Sequence, residues 1–282
     1  MIKIKNLHFK YRPTASLFNG LDLSLKSGNI YGLLGGNGSG KSTLLKIIGG
    51  LISPHTGEVK VNSHTPFERV PSFLEDIYFI PEEMELPEIK LLQFVNCYKR
   101  FYPKFDMNQF QSNIEAFGLT QELNKGINQF SFGQKKKLII SFALATNCSL
   151  MIMDEPTNGL DIPSKRIFRQ LIASSVDDNK LFIISSHQVR DLFNLMDPII
   201  ILQEGELQCN ISIHELESKF NFHTYKSLDM VPKDVLFYQE SLGGVQCIER
   251  FQEEKISDPI DFEFFFTAMV SEKKELLTNE LN

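Results

Sequence analysis

The stretch that most limits what this chain can become is "GGNGSGKST", Gly35 to Thr43. It fits the pattern G-x-x-x-x-G-K-[ST]. The apolar run "IYGLL" precedes it, as expected of a strand buried on both faces, and the helical pattern "STLLKIIGGL" follows, ended by Gly49 and Gly50. Strand, glycine-rich loop and helix in that order predict a loop that cradles phosphate. The glycines let successive backbone N–H groups face the anion, and the helix N-terminus adds its partial positive charge. Gly35, Gly36, Asn37, Gly38, Ser39, Gly40, Lys41, Ser42 and Thr43 make up this predicted site. Lys41 would place a point charge on the β- and γ-phosphates of a nucleotide, and the Ser42 hydroxyl would ligate Mg2+.

Around the loop the pattern alternates between strands and helices. "IKIKNLHFKY" and "LDLSL" alternate with period two, as half-buried antiparallel strands do, and "TGEVKVNS" reads as a further strand. From Pro87 to about Thr146 the character is helical. "EIKLLQFVNCYKRFY" has apolar residues at helical spacing, and "DMNQFQSNIEAFG" carries Asp106 as an N-cap and Gly118 as a stop. "LMIMD", "LFIISSH" and "PIIIL" are short apolar strands. In an open parallel sheet, functional side chains gather at the carboxyl ends of such strands. After Gln203 short strands follow: "DVLFYQES" and "VQCIERF" are expected to pair through "LGG" as a hairpin, and "DFEFFFTAMVSEKKELLTNEL" reads as helical.

The second chemical signal is "LMIMDEP", an apolar strand ending in two carboxylates. Beside a phosphate loop, Asp154 would hold the shell of a Mg2+ ion and Glu155 would polarise an attacking water as general base. His187 ends the next strand, "ISSH", within expected reach of the γ-phosphate or that water. Bulk numbers narrow the class. The net charge of −6, from 29 basic and 35 acidic side chains, gives no general attraction to nucleic acid, and no nucleic-acid partner is expected. The four cysteines are far apart and include no C-x-x-C pair, which fits reduced thiols rather than a disulfide framework or zinc site. The opening "MIKIKNLHFKY" reads as a strand without the apolar centre of a signal peptide. The most apolar region, about residues 138–153, is too short and too polar to span a bilayer.

Together with "SFGQ" (Ser131 to Gln134) and "TNGLD", these motifs make residues 1–205 resemble the ATP-binding subunit of ABC transporters, in the order that family uses. The resemblance implies an α/β fold: a P-loop NTPase (RecA-like) core with an antiparallel β subdomain and a helical subdomain inserted at about 84–145. A small α+β appendage would follow at 206–282. It implies ATP and Mg2+ as cofactors, with Ser42, Asp154 and Glu82 around the metal and Glu155, His187 and Lys41 in catalysis. Tyr11 falls where the family stacks an aromatic ring on adenine. Two such domains bind head to tail in this family, each ATP lying between one phosphate loop and the partner's Ser131, Phe132, Gly133 and Gln134. Asp161 would lie in that interface. The partners implied are an integral-membrane permease subunit and a second ATP-binding subunit, identical or related. The chain would then sit in the cytoplasm, peripheral on the inner face of the cell membrane.

Two positions depart from the family's pattern. Glu82 stands where Gln is usual; its carboxylate still offers oxygen to a metal, with an added negative charge near the γ-phosphate, and as a plain loop residue it would be solvated. Phe132 is bulky where a small residue is usual. Ser131 and Gln134 form the S-x-x-Q capping box of a helix, so the expected contacts to a partner's ATP are the Ser131 hydroxyl, the Gly133 N–H and the helix N-terminus, none of which uses the side chain at 132. Lys135, Lys136 and Lys137 read as a solvated face. Phe94, Tyr98, Phe101 and Tyr102 either meet a permease or form the insertion's own core. In the tail, which weakly resembles that of export-type (ABC-2-like) systems, Phe262, Phe265, Phe266 and Met269 pack on the core or on a second copy. The reading is a MgATP-hydrolysing subunit that powers a separate permease of export type. A soluble ABC-type ATPase serving as an assembly scaffold, for example for iron–sulfur clusters, stays open, as does a regulatory subunit that binds ATP without turnover.

Overall fold

The computed structural model describes residues 1–12, 15–187, 195–255, 257–271 and 274–281. Strands β1 (Ile2–Arg12), β2 (Ala15–Leu25) and β4 (Thr56–Val61) form an antiparallel sheet in the order β2-β1-β4. The central sheet is built from β3 (Asn29–Leu34), β5 (Ile77–Ile80), β6 (Leu150–Asp154), β7 (Leu181–Ser186), β8 (Ile199–Gln203) and β9 (Glu206–Ile211), in the order β5-β6-β7-β3-β8-β9. The first five pair in parallel, and β9 returns antiparallel to β8.

The apolar strands are explained by burial on both faces. In β6, Leu150 and Ile152 point into one core while Met151 and Met153 point into another; Leu181 and Ile183 of β7 alternate with Phe182 and Ile184 in the same way. The first core lies between the central sheet, the antiparallel sheet and helix α1 (Lys41–Ile48), with Pro71–Leu74 (α2) at its edge. The second is shared by α3 (Leu91–Tyr98), α4 (Met107–Ala116), α5 (Phe132–Ala145) and α6 (Ile162–Ser175). The expected caps are present: Asp106 accepts from the N–H groups of Asn108 and Gln109, and Gly118 at φ +70° follows the end of α4.

The richness in Phe is spent largely on this second core. Phe142 of α5 is fully buried, with Phe94, Phe105 and Tyr78 rings centred 5.3, 5.0 and 5.9 Å away. Phe142→Ala should destabilise the fold by about 3–5 kcal/mol, from lost transfer energy and the cavity left behind. Urea denaturation measures it, and a loss below about 1 kcal/mol would contradict this packing.

The tail is tied to the same core. The boundary expected at residue 205 falls in the turn between β8 and β9, and β9 continues the central sheet. A helix that the sequence reading passed over, α7 (Ile213–Lys219), follows it, capped by the Ser212 hydroxyl on the Glu215 N–H. Its signal, S-x-x-E at Ser212–Glu215, was present in the sequence. Then β10 (Phe220–Tyr225), β11 (Phe237–Ser241) and β12 (Gly244–Arg250) form a small antiparallel sheet, with the expected hairpin closing at Ser241 and Gly244. The final apolar segment divides into α8 (Phe262–Val270) and α9 (Glu275–Leu281). Phe262, Phe265 and Met269 are buried in the second core, with Phe266 partly buried against it. Gln203 at the end of β8 donates to the Val270 carbonyl (3.1 Å) and accepts from the Lys274 ammonium (3.1 Å). Among the described residues, no helix is long and apolar enough to cross a membrane.

Candidate active site

The site opens at the carboxyl ends of β3, β6 and β7. Residues 35–40 turn the chain from β3 into α1, and Gly40 takes φ +106° at the helix start, a conformation that side chains resist. Lys41 is buried, and its ammonium donates to the carbonyls of Gly35 (2.8 Å) and Gly36 (3.2 Å), curling the loop around itself. Burial lowers the Lys41 pKa from its ordinary value, opposed by the carboxylates of Glu155, Asp154 and Glu82.

Asp154 ends β6, buried, and its Oδ1 accepts from the Ser185 hydroxyl of β7 (2.6 Å). The same hydroxyl accepts from the Glu155 N–H (2.9 Å), so Ser185 fixes both acidic residues. Glu155 sits at φ +46°, a left-handed conformation that is uncommon for a residue with a side chain and that turns its carboxylate out of the strand line. Its Oε1 lies 2.8 Å from His187 Nδ1, while Oε2 is buried without a hydrogen-bond partner. Burial raises the Glu155 pKa, with the His187 contact and Lys41 pulling the other way.

These groups line a single pocket of about 540 Å3 with residues 36–43, Glu82 and Tyr11. That volume lies within the range of small-molecule and cofactor sites. The Tyr11 ring is largely exposed at the rim, edge-on to Phe9, and its hydroxyl lies 3.0 Å from Thr43 Oγ1. Glu82 Oε1 accepts from the Asn158 side-chain amide (3.1 Å) in the loop after β6. Among the described residues, two buried oxygens here have no hydrogen-bond partner, Ser39 Oγ and Glu155 Oε2. Oxygen donors on Ser42, Asp154 and Glu82 suit Mg2+, which is held by one or two carboxylates together with phosphate and water rather than by an all-protein cage. Among the described residues, no group of three or more His, Cys, Asp or Glu forms such a cage.

The "SFGQ" segment and Asp161 lie outside this pocket's lining. Ser131 caps α5, its hydroxyl accepting from the Gln134 N–H (3.2 Å) while the Gln134 side chain accepts from the Ser131 N–H (2.9 Å). Asp161 caps α6 through the Ser164 N–H (2.9 Å), and the Ser164 hydrogen bonds hold its carboxyl below the usual pKa. The two caps meet closely. A Cβ on Gly133 would press on the Gly159 carbonyl (2.8 Å), and one on Gly159, which has φ +79°, would collide with the Phe132 ring. Phe132 thus rests on the loop before Asp161, 48% exposed, and Ile162 beside that loop is 83% exposed.

One sequence expectation is overturned here. Lys136 is not on a solvated face; it is fully buried, and its ammonium donates to the carbonyls of Glu82 (2.9 Å) and Pro81 (3.3 Å). Burial lowers its pKa, against the pull of Glu82, Asp154 and Glu155. The reason is helical spacing: Lys136 lies one turn beyond Phe132 and one before Ile140, on the inward side of α5, while Lys135 and Lys137 are half-buried. Ser185, Asn158 and Lys136 are the residues of this region that motif reading missed.

Strand, phosphate loop, helix and a paired acidic strand end define a P-loop ATPase fold. Residues 18–158 match the family model described as ABC transporter. The chain is 32% identical over 228 residues to the bacitracin transport ATP-binding protein BcrA of Bacillus licheniformis, covering 78% of this chain and 72% of that one. It is 27% identical over 284 residues to ABC transporter A family member 1 of Dictyostelium discoideum, covering 97% of this chain but 32% of that protein, so it spans about a third of that relative's length. The dimeric post-hydrolysis structure of the ATP-binding cassette MJ0796 with ADP and Pi superposes with a TM-score of 0.67 at 26% identity, covering 76% of this chain and 99% of that one. The chain belongs to the ABC transporter family and carries that family's ATPase domain.

Proposed function

We propose that this chain binds MgATP at the pocket between β3, β6 and β7, pairs with a second ATP-binding subunit around the nucleotide, and hydrolyses it to drive a separate membrane permease. The observation that carries this reading is the meeting of Lys41, Asp154 and the Glu155–His187 pair in one pocket beside the glycine-rich loop. Lys41 exchanges its contacts with the Gly35 and Gly36 carbonyls for phosphate oxygens. Ser42, Asp154 and Glu82 would hold Mg2+, which would supply charge neutralisation on the phosphates. Glu155 orients the water and takes its proton at the free Oε2, while His187 holds Oε1. The nucleotide's other face is open, and Ser131 of a second subunit would close it. The exposed Phe132 and Ile162, beside Ser131 and Asp161, favour an apolar partner surface, as a second cassette would supply. The MJ0796 cassette, 26% identical, is a dimer bound to ADP and Pi, which supports the pairing.

A groove of about 640 Å3 offers a place for the permease. It runs between Leu51, Arg69 and Leu74 on the core side and Tyr98, Phe101 and Tyr102 on the helical subdomain. Phe94 is buried and serves the core, whereas Phe101 is 67% exposed. We read this groove as the docking site, with the membrane-side location and export direction following from the partner. The purified chain should release phosphate from ATP only with Mg2+ present. Affinity isolation from detergent-solubilised membranes should recover an integral-membrane chain with it. Recovery solely in a soluble assembly would favour the scaffold reading, and ATP binding without phosphate release would favour a regulatory one.

A further inference from the structure

The buried ammonium of Lys136 has no counterpart in the proposed chemistry, yet it sits directly behind it. Burying a charge is costly unless it is met by polar groups and opposite charge, so a lysine held here needs a reason. Its partners lie on two elements. Two are backbone carbonyls at the end of β5, Pro81 and Glu82. A third is the Phe132 ring, whose centroid lies 5.9 Å from the ammonium, within reach of a cation–π contact. Glu82 is the largest of the acidic influences acting on it. The Glu82 side chain is tied in turn to Asn158, the residue just before Gly159, whose carbonyl lies against Gly133.

We propose that Lys136 is a positioning residue. It fastens the Glu82 loop to the first turn of α5 and sets its ammonium beside the charge that Glu82 carries. This rests on the MgATP reading of the pocket. The consequence is mechanical. Ser131, which would reach the partner's nucleotide, and Glu82, which faces the chain's own, move as one piece because Lys136 bridges the elements that carry them. Phe132 then acquires a use: it roofs the ammonium and seats on Gly159.

The test begins without nucleotide. In Lys136→Met, amide hydrogen exchange over residues 81–86 and 131–134 should speed up by about tenfold or more, while the Phe142 region exchanges as in the parent. Lys136→Arg, which keeps N–H donors and charge, should stay within about threefold of the parent. Turnover adds the second readout. Lys136→Met should lower kcat about tenfold and raise the Mg2+ needed for half-maximal rate, with a loss below about threefold when Glu82→Gln is already present. Unchanged exchange in Lys136→Met, or equal losses of rate in the Glu82 and Glu82→Gln backgrounds, would overturn the proposal. Exchange that rises everywhere would also overturn it, since Lys136 would then merely support the fold. If the parent protein releases no phosphate from ATP, the MgATP reading fails instead, and the exchange result still decides the role of Lys136.

Discussion

Glu155→Gln should abolish steady-state hydrolysis while the protein still binds ATP and stays paired around it. The substitution keeps the shape and an acceptor for His187, and it removes only the ability to take a proton. General-base loss of this kind costs about 10²–10⁴-fold in kcat. Light scattering with and without ATP measures the pairing, and phosphate release measures the rate; a parental rate would remove Glu155 from the role assigned to it. The pH profile gives an independent view. Burial raises the Glu155 pKa, so its carboxylate form is lost at a higher pH than an ordinary glutamate loses it. The acidic limb of kcat/KM, which reports the free enzyme, should therefore lie above about 4.3, the ordinary glutamate value. His187 lowers that pKa through its hydrogen bond, so His187→Ala should move the limb further up. A limb that moved down would contradict the pairing seen here.

The second large effect concerns which chain supplies Ser131. Lys41→Ala should be inactive through its own phosphate loop. Ser131→Arg should be inactive through its partner's site, losing a helix cap worth about 1 kcal/mol and filling the space the nucleotide needs. If each site takes Lys41 from one subunit and Ser131 from the other, a mixed dimer of the two variants keeps one site intact. Mixing them in equal amounts should restore roughly a quarter of the parental sites, since half the dimers are mixed and each has one working site of two. If both residues served the same chain's site, mixing would restore nothing. The phosphate-release rate of the mixture, titrated against each variant alone, decides between them.

The candidate residues whose placement depends on local sequence are legible in the sequence alone. The loop from Gly35 to Thr43 announces itself because a backbone turn into a helix needs those glycines at that spacing, and Asp154 and Glu155 because a buried strand tolerates carboxylates only at its end. Lys136 was misread because nothing near it in sequence reveals the carbonyls it meets, at Pro81 and Glu82, across the fold. Asn158 and Ser185 were missed for the same reason: each is an ordinary polar residue until its partner, Glu82 or Asp154, is placed beside it. The insertion's aromatic residues, indistinguishable by type, separate once Phe94 is seen to point inward and Phe101 outward. In the tail, the boundary at 205 follows the extent of the resemblance and the shift to short strands after Gln203, whereas pairing, which neither reports, carries the central sheet one strand further.

That last strand also bears on how copies of this chain meet in a crowded solution. A sheet offers its unpaired edge to any other sheet, and long flat edges invite fibre-like stacking. Here one edge strand, β5, is only four residues long. The other, β9, is kinked against β8 by a register shift at Ile201–Leu202 and is flanked by β2, whose Ser24 carbonyl accepts from the Asn210 amide. Neither rim is a good template for another copy. Under the proposed pairing, copies would instead meet through the loops at the mouth of the pocket, where a reversible encounter can be governed by what the pocket holds.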